Sequence, residues 1–256
     1  MNDPLPQILK ELRRPERGRI SPRACGGHDT EPPFVTLSRQ VGVGGQPLAQ
    51  RLCDRLNTLD PGERPWACFD CKLVGRVASD PVLAQELIAS IGDGGRGWLD
   101  EVFAEMATRP MMRPSELRVY RLVAETVLAL AGTGRVVLVG LGSAFITHHR
   151  TGGLHLRLVA PLSHRIETTA WARQLTRGEA LDYIRRTERR REAFFRRFWP
   201  EHSLSAESFC STFNTASTTP DQQVDAVVGM LPGFAPLRAS ESAAAYAASS
   251  PRQAVQ

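Results

Sequence analysis

Residues 34–56 constrain the fold more than any other part of the chain, because a strand, a glycine turn and a helix follow one another there without interruption. Residues 34–38 read Phe-Val-Thr-Leu-Ser, a β-branched and aromatic run that is typical of a short strand. The run leads into Gly42-Val-Gly-Gly45. Beyond this turn, leucines recur every four residues, the spacing of one helix face: Leu48, Leu52 and Leu56. The segment therefore predicts a strand, a glycine loop and a helix.

Three later segments predict further strands, at residues 66–70, 135–140 and 154–160. The second of them, Arg-Val-Val-Leu-Val-Gly, has the continuous apolar character of a strand that is buried on both faces. Helices are predicted between the strands at residues 80–108, 115–131 and 163–174, the last of them capped by Ser163. Strands that alternate with helices indicate an α/β fold with a doubly wound parallel sheet and flanking helices.

The composition fits one globular domain with two extensions. The chain has 256 residues, of which 42% are hydrophobic and 23% charged. Residues 1–33 are rich in proline and charge and predict a flexible leader, whereas the Ala/Ser-rich residues 232–256 predict a disordered tail. The domain is therefore expected at residues 34–231. The longest mainly apolar run is far shorter than the roughly 20 residues that span a bilayer, so we expect a cytoplasmic protein without membrane contact.

The counts of lysine and cysteine exclude several kinds of site. Only Lys10 and Lys72 are lysines, so arginine carries nearly all the positive charge of a chain whose net charge is +5. Five cysteines are too few and too scattered for a disulfide scaffold. Cys68 and Cys71 form an isolated C-x-x-C pair without a second pair at metal-binding spacing, and we interpret them as buried free thiols.

The glycine loop has the composition of an anion site. Backbone N–H groups and the positive end of the helix dipole both favour a phosphate at such a turn. The usual nucleotide-binding pattern G-x-x-x-x-G-K-[ST] is incomplete, because Gly45 occupies its lysine position and Arg39 its first glycine. Arg39 could supply the missing positive charge, although a tight turn that only feeds the helix remains an alternative. The candidate phosphate-binding residues are Ser38, Gly42, Val43, Gly44, Gly45 and Gln46.

Residues 185–197 contain seven arginines and two glutamates, and an apolar anchor overlaps the end of this run. Arg185 lies one helical turn before Arg189, and Arg186 one turn before Arg190, so two stripes of guanidinium groups are expected on neighbouring faces. Such a run often forms a solvated helix face. It could instead close over a triphosphate and neutralise charge during phosphoryl transfer. The anchor consists of Phe194, Phe195, Phe198 and Trp199.

Seven motifs in this order resemble the cytidylate kinase-like family, relatives of the nucleoside monophosphate kinases. The resemblance extends over about residues 34–231 and implies a P-loop fold in which an arginine-bearing lid covers ATP, with Mg²⁺ and a monophosphate acceptor such as CMP. The family's opening motif resembles Ser-Arg-Glu-x-Gly-Ser-Gly-Gly, so the lysine is missing from the group as well. The motifs are residues 35–39, 42–45, 69–70, 137–144, 159–165, 186–199 and 213–215.

The sequence also departs from the family at two positions. Members commonly have an arginine after the central strand, placed to meet the acceptor phosphate, and this chain has Leu141. The usual glutamate after Ser-Arg is Gln40, which removes a carboxylate near any magnesium. Asp70 is retained and is the best candidate to hold a metal or orient the acceptor, although an aspartate at a strand end is also a common helix cap. The metal ligands are not defined by the sequence.

Two functions follow from the sequence. The first is phosphoryl transfer from ATP to a nucleoside monophosphate, and the second is a catalytically weak or inactive kinase-derived module that binds a nucleotide or a protein partner. Binding of RNA or DNA is disfavoured, because only 7% of the residues are aromatic and none interleaves with a basic strand. The predicted catalytic residues are Arg39, Asp70, Arg185, Arg189 and Arg190.

Overall fold

Five parallel strands form one sheet in the part of the chain that the computed structural model describes, residues 31–62, 64–70, 114–199 and 204–231. The strands are β1 (Phe34–Arg39), β2 (Ala67–Phe69), β3 (Val136–Val139), β4 (Gly153–Val159) and β5 (Ser211–Asn214). Their order across the sheet is β2-β3-β1-β4-β5, and every neighbouring pair is parallel. The predicted parallel sheet is thereby confirmed, and β1 lies at its centre.

Helices connect the strands. They are α1 (Gly45–Leu59), α2 (Pro114–Thr133), α3 (Ser143–Ile146), α4 (Leu162–Arg173), α5 (Arg177–Phe198) and α6 (Pro220–Met230), with a 3₁₀ turn at Ala206–Ser208. Two of them begin at a complete capping box, in which a threonine hydroxyl and a side chain three residues later satisfy each other's backbone N–H groups. These boxes are Thr176 with Glu179 and Thr219 with Gln222.

The sheet is covered on both faces, as the apolar composition of residues 135–140 predicts. Val137 and Val139 of β3 face a core shared with α1 and α6. Val136 and Leu138 face a second core shared with α2, α3 and the end of α5. All four residues are buried. The fold is therefore α/β with the sheet between two helical layers, and it brings the carboxyl ends of the strands to one edge.

The predicted start of α4 is wrong. The helix begins at Leu162 after Pro161, no side chain of the described chain caps it, and Ser163 lies inside its first turn. Proline with its fixed φ sets the start of the helix here without a hydroxyl cap. Residues 1–30, 80–108 and 232–256, for which we predict most of the leader, helices and a tail, lie outside the described residues.

Among the described helices, none combines the length and the apolar composition that crossing a membrane requires.

Candidate functional site

The loop between β1 and α1 turns on two glycines with left-handed backbone. Gly42 has a φ of +85° and Gly44 a φ of +73°, values that side-chain-bearing residues rarely adopt. Gly44 is the N-cap of α1, and within the described chain no side chain caps this helix and no acidic residue lies in its first turn. The first N–H groups of a helix have no partner inside the helix. The loop therefore presents backbone donors and the positive end of the α1 dipole to a ligand.

Space around the loop differs between these two glycines. A Cβ atom built on Gly44 meets no atom of the described chain within 4 Å, so the loop is open there. A Cβ atom built on Gly42 would lie 2.6 Å from the carbonyl oxygen of Arg165 and 2.6 Å from Oγ1 of Thr169. Both of these residues belong to α4. Helix α4 therefore packs directly on the loop at Gly42, and only glycine fits between them.

Arg39 extends from the end of β1 across the neighbouring backbone. A Cβ atom on Gly45 would lie 3.1 Å from Cγ of Arg39, and one on Gly140, just after β3, would lie 2.7 Å from its Cζ. The aliphatic part of the side chain thus lies beside the first residue of α1, and the guanidinium group lies against the end of β3. The arrangement puts a positive charge next to the glycine loop, close to where a P-loop lysine would begin.

The remaining loop residues have individual roles. Gln40 joins β1 to β4, because its Oε1 accepts a hydrogen bond of 3.0 Å from the backbone N–H of Ala160. Val43 is buried in the core beneath α1, whereas Ser38 is half-buried in β1. Gln46, at the start of α1, donates from Nε2 to the thiol of Cys68 over 3.6 Å. Gln40 is therefore already engaged in holding two strands together at the position of the family's glutamate.

Helices α4 and α5, together called the lid here, are joined by an ion pair between a buried arginine and a half-buried glutamate. Nη1 of Arg165 lies 2.5 Å from Oε1 of Glu188, and Nε of Arg165 donates to the carbonyl oxygen of Ala160 over 3.1 Å. The Arg165 side chain is only 9% exposed. Because the same residue contacts Gly42 through its carbonyl oxygen, the ion pair fixes the lid against the glycine loop. Arg165 lies within the motif at residues 159–165 but is not among the predicted site residues.

The predicted arginine stripes point to solvent in this arrangement. Arg185, Arg189 and Arg190 are exposed, and Nε of Arg189 donates to the carbonyl oxygen of Arg185 over 3.3 Å. Their proposed roles therefore stay predictions. Arg191, which the prediction passed over, is half-buried and donates from Nη1 to the carbonyl oxygen of Arg39 over 3.1 Å. The sequence indicated this face of the helix, since Arg191 follows the apolar residue Ile184 by seven positions, or two helical turns. Ile184 is buried in the structure.

Asp70 and Cys68 stand at the end of β2. Asp70 follows the last residue of this strand and is half-buried, so it lies at the same sheet edge as the glycine loop. The thiol of Cys68 donates to Oε1 of Gln50 over 3.5 Å. A hydrogen bond with Cys53 lowers the pKa of the Cys68 thiol. The second residue of the C-x-x-C pair, Cys71, lies outside the described residues.

Three consecutive residues after β3 have left-handed backbone, with φ values of +82° at Gly140, +63° at Leu141 and +73° at Gly142. Leu141 is unusual there, because it carries a branched side chain. Its side chain is half-buried and packs on the aromatic core beneath α5. Tyr120 and Trp199 support the turn from below, since Nε1 of Trp199 donates to the Tyr120 hydroxyl over 2.7 Å. At the position where the resemblance implies an arginine for the acceptor phosphate, this chain thus has an apolar side chain that packs on an apolar core.

The described residues contain no group of three or more His, Cys, Asp or Glu side chains that could hold a metal ion. Mg²⁺ needs no such group in enzymes that bind it together with phosphates, because one or two carboxylates and the phosphate oxygens suffice. Asp70 is a carboxylate that the sheet brings to this edge, and the loop is open around Gly44 among the described residues. The residues present thus fit a nucleotide with its magnesium.

The strand order, the glycine loop after β1 and the lid together define a P-loop kinase-like fold. The sequence profile of the cytidylate kinase-like family matches residues 34–217, which is well over half of the chain. The protein therefore belongs to the cytidylate kinase-like family, and the predicted resemblance is confirmed. No curated protein sequence gives a significant match.

Solved structures show similarity at the level of the fold. An uncharacterized protein from Eubacterium ventriosum ATCC 27560 matches with a TM-score of 0.57 at 13% identity, over 77% of this chain and 96% of that one. Shikimate kinase from Bacteroides thetaiotaomicron matches with a TM-score of 0.42 at 14% identity, over 76% and 96% of the two chains. TT1252 from Thermus thermophilus has the same TM-score at 15% identity, over 80% and 100%.

Proposed function

We propose that this protein binds ATP through the loop Gly42–Gly45 and transfers its γ-phosphoryl group to a nucleoside monophosphate such as CMP. The observation that carries the proposal is the geometry of the loop, which is open at Gly44, leads into the uncapped start of α1 and has the Arg39 side chain beside it. Backbone donors and a fixed positive charge are the groups that a polyphosphate needs. Membership of a kinase-like family supports the same reaction.

The chain's own residues would act by positioning and charge neutralisation. Arg39 would contact the β- and γ-phosphates from the side of β3, and Asp70 would orient the acceptor or hold the magnesium. Arg185, Arg189 and Arg190 would close from the lid once a triphosphate attracts them. Bound Mg²⁺ would supply further neutralisation of the phosphate charge. In-line transfer needs little covalent chemistry from the protein, so groups that position the substrates and neutralise charge are the kind that the reaction requires.

A second function, a catalytically weak or inactive nucleotide-binding or regulatory module, is favoured by a specific observation. Leu141 occupies the position of the family's acceptor-binding arginine, and its side chain packs on the aromatic core. Loss of one preorganised charge contact typically lowers a rate by about 10²-fold. We therefore expect any turnover to be slow beside that of an ordinary monophosphate kinase.

Titration followed by a turnover assay separates the two functions. The full chain is titrated with ATP, CTP, GTP and UTP in the presence of Mg²⁺, and ADP formation is then measured with each of CMP, UMP, AMP and GMP. Saturable binding with slow, acceptor-dependent ADP formation supports the kinase. Binding without acceptor-dependent turnover supports the module, and absence of nucleotide binding contradicts both.

A further inference from the structure

Thr169 on α4 carries a buried hydroxyl group without a hydrogen-bond partner in the described chain. The residue is only 4% exposed, and its Oγ1 is inaccessible to solvent. A buried hydroxyl group that is left unpaired destabilises the folded state, because it has lost its hydrogen bonds to water. A residue of the same shape without the hydroxyl group, valine, would avoid that penalty. The position of Thr169 therefore calls for an explanation other than packing.

Local geometry offers Thr169 an easy partner that it does not use. Threonines inside helices commonly bond to the carbonyl oxygen four residues earlier. Three helical threonines of this protein do so at distances of 2.8–3.0 Å: Thr58 to Asp54, Thr126 to Leu122 and Thr168 to His164. For Thr169 the equivalent acceptor would be the carbonyl oxygen of Arg165, yet its Oγ1 makes no such bond.

The hydroxyl group faces the glycine loop instead. A Cβ atom on Gly42 would lie 2.6 Å from Oγ1 of Thr169, so the oxygen lies directly against the backbone of the loop. This loop leads into the 15-residue helix α1, whose N-terminus is uncapped within the described chain. A buried donor without a partner in the described chain thus lies against Gly42, two residues before the N-cap of this helix. An anion with several acceptor oxygens would satisfy both the hydroxyl group and the helix start.

We propose that Thr169 is a phosphate-binding residue, whose hydroxyl group donates to an oxygen of the di- or triphosphate chain held by the loop. The inference rests on the proposed nucleotide binding and adds a residue of the lid to it. The unpaired hydroxyl group destabilises the empty site, and a bound phosphate oxygen removes that penalty. The lid then contacts the phosphate chain through Thr169 as well as through its arginines.

Paired valine variants test this proposal. Thr169→Val removes the hydroxyl group at constant shape, Thr169→Ser retains it, and Thr168→Val is the matched control on the same helix. The apo melting temperature and the Kd for MgATP and for inorganic tripolyphosphate are measured by calorimetry. We expect Thr169→Val to melt at or above the wild-type temperature and to bind both ligands at least tenfold more weakly, whereas the Ser variant and the control bind within threefold of wild type.

The outcomes separate this inference from the proposed function. Wild-type protein that binds neither ligand contradicts both. Wild-type binding with an unchanged Kd in Thr169→Val overturns the role of Thr169 and leaves nucleotide binding intact. The role is also overturned if Thr169→Val binds weakly only because its apo form melts well below the Thr168→Val control. Weakening for MgATP but not for tripolyphosphate contradicts a contact with the phosphate chain.

Discussion

Arg191 of α5 donates a hydrogen bond of 3.1 Å from Nη1 to the main-chain carbonyl oxygen of Arg39, at the point where β1 enters the glycine loop. The contact joins the lid to the loop without using an acidic side chain. The guanidinium group thereby holds the lid against the start of the loop.

Substitution of Arg191 should therefore weaken nucleotide binding more than substitution of the neighbouring Arg190. Loss of this contact should let the lid move away from the loop, so we expect Arg191→Gln to raise the Kd for MgATP about tenfold, which corresponds to about 1.4 kcal/mol. Arg190→Gln, which changes an exposed side chain, should raise it less at physiological salt. Titration of both variants measures the difference, and an equal or larger effect at Arg190 would contradict the stronger dependence of binding on Arg191.

Moving the positive charge from residue 39 to residue 45 tests whether Arg39 takes the place of the P-loop lysine. Gly45→Lys alone should bind no better than wild type, because its Cβ atom would lie 3.1 Å from Cγ of Arg39. Arg39→Ala should lower the affinity for MgATP about tenfold through loss of one charge-assisted contact. The double variant Arg39→Ala, Gly45→Lys should regain at least part of this loss. If the double variant binds no better than Arg39→Ala, the two positions do not serve the same phosphate.

The ion pair Arg165–Glu188 should stabilise the lid far more than an exposed pair in the same helices. Arg165→Met leaves the half-buried Glu188 without its partner, and we expect a loss of about 2 kcal/mol in the free energy of unfolding, after allowance for solvent screening of the carboxylate. Arg177→Met breaks the pair with Glu167, whose side chains are 69% and 60% exposed, and should change stability by less than about 1 kcal/mol. Urea unfolding measures both, and equal effects would contradict the assigned burial.

The stability of the fold should fall as the pH drops below 6.5, because of His155. Burial lowers the pKa of this histidine to about 4, and its Nδ1 lies 2.9 Å from Oγ1 of Thr36. Between these pH values the unfolded chain binds a proton that the folded protein does not, so folding loses stability as the pH falls. We expect a loss of about 2 kcal/mol from pH 7 to 4, after allowance for partial exposure of the ring.

Chemical unfolding between pH 4 and 7 checks this prediction. His155→Gln should reduce the slope of the unfolding free energy against pH, by the amount that corresponds to about one bound proton over this interval. A wild-type curve that is flat over the interval, or a variant with the same slope as wild type, would show that His155 does not titrate as its burial requires.

Patterns along the chain were sufficient to predict the glycine loop and four of the five described strands, because these depend on local sequence, whereas the edge strand Ser211–Asn214 was not predicted. Residues 34–38 and 135–140 carry β-branched runs, and the strands Phe34–Arg39 and Val136–Val139 formed where these runs lie. The spacing of Leu48, Leu52 and Leu56 likewise placed α1 correctly on the sheet. The start of α4 was missed because Pro161 competes with Ser163 as a helix start, and the outcome depends on the backbone that leaves β4.

The contacts of the site could not be read from sequence spacing, because they join residues that are far apart in the chain. The bond between Arg191 and Arg39 connects residues 152 positions apart. Thr169 could not be distinguished from Thr168 by sequence, since both lie on α4 and only the packing of α4 on Gly42 gives them different surroundings. Such contacts follow from the docking of the lid on the loop, which is a property of the whole fold.

Calorimetric titration of MgATP into wild-type protein, Gly44→Val and Gly229→Val tests the central claim most directly. Both glycines have open space around them, but only Gly44 lies in the loop, so Gly229→Val is the matched control. Each variant is first shown to be folded by thermal unfolding, because a side chain at the φ of +73° is strained. We predict one ATP site in wild type and in Gly229→Val and at least tenfold weaker binding in Gly44→Val. Equal affinity in all three, or no binding by the wild type, would contradict a phosphate-binding loop at Gly42–Gly45.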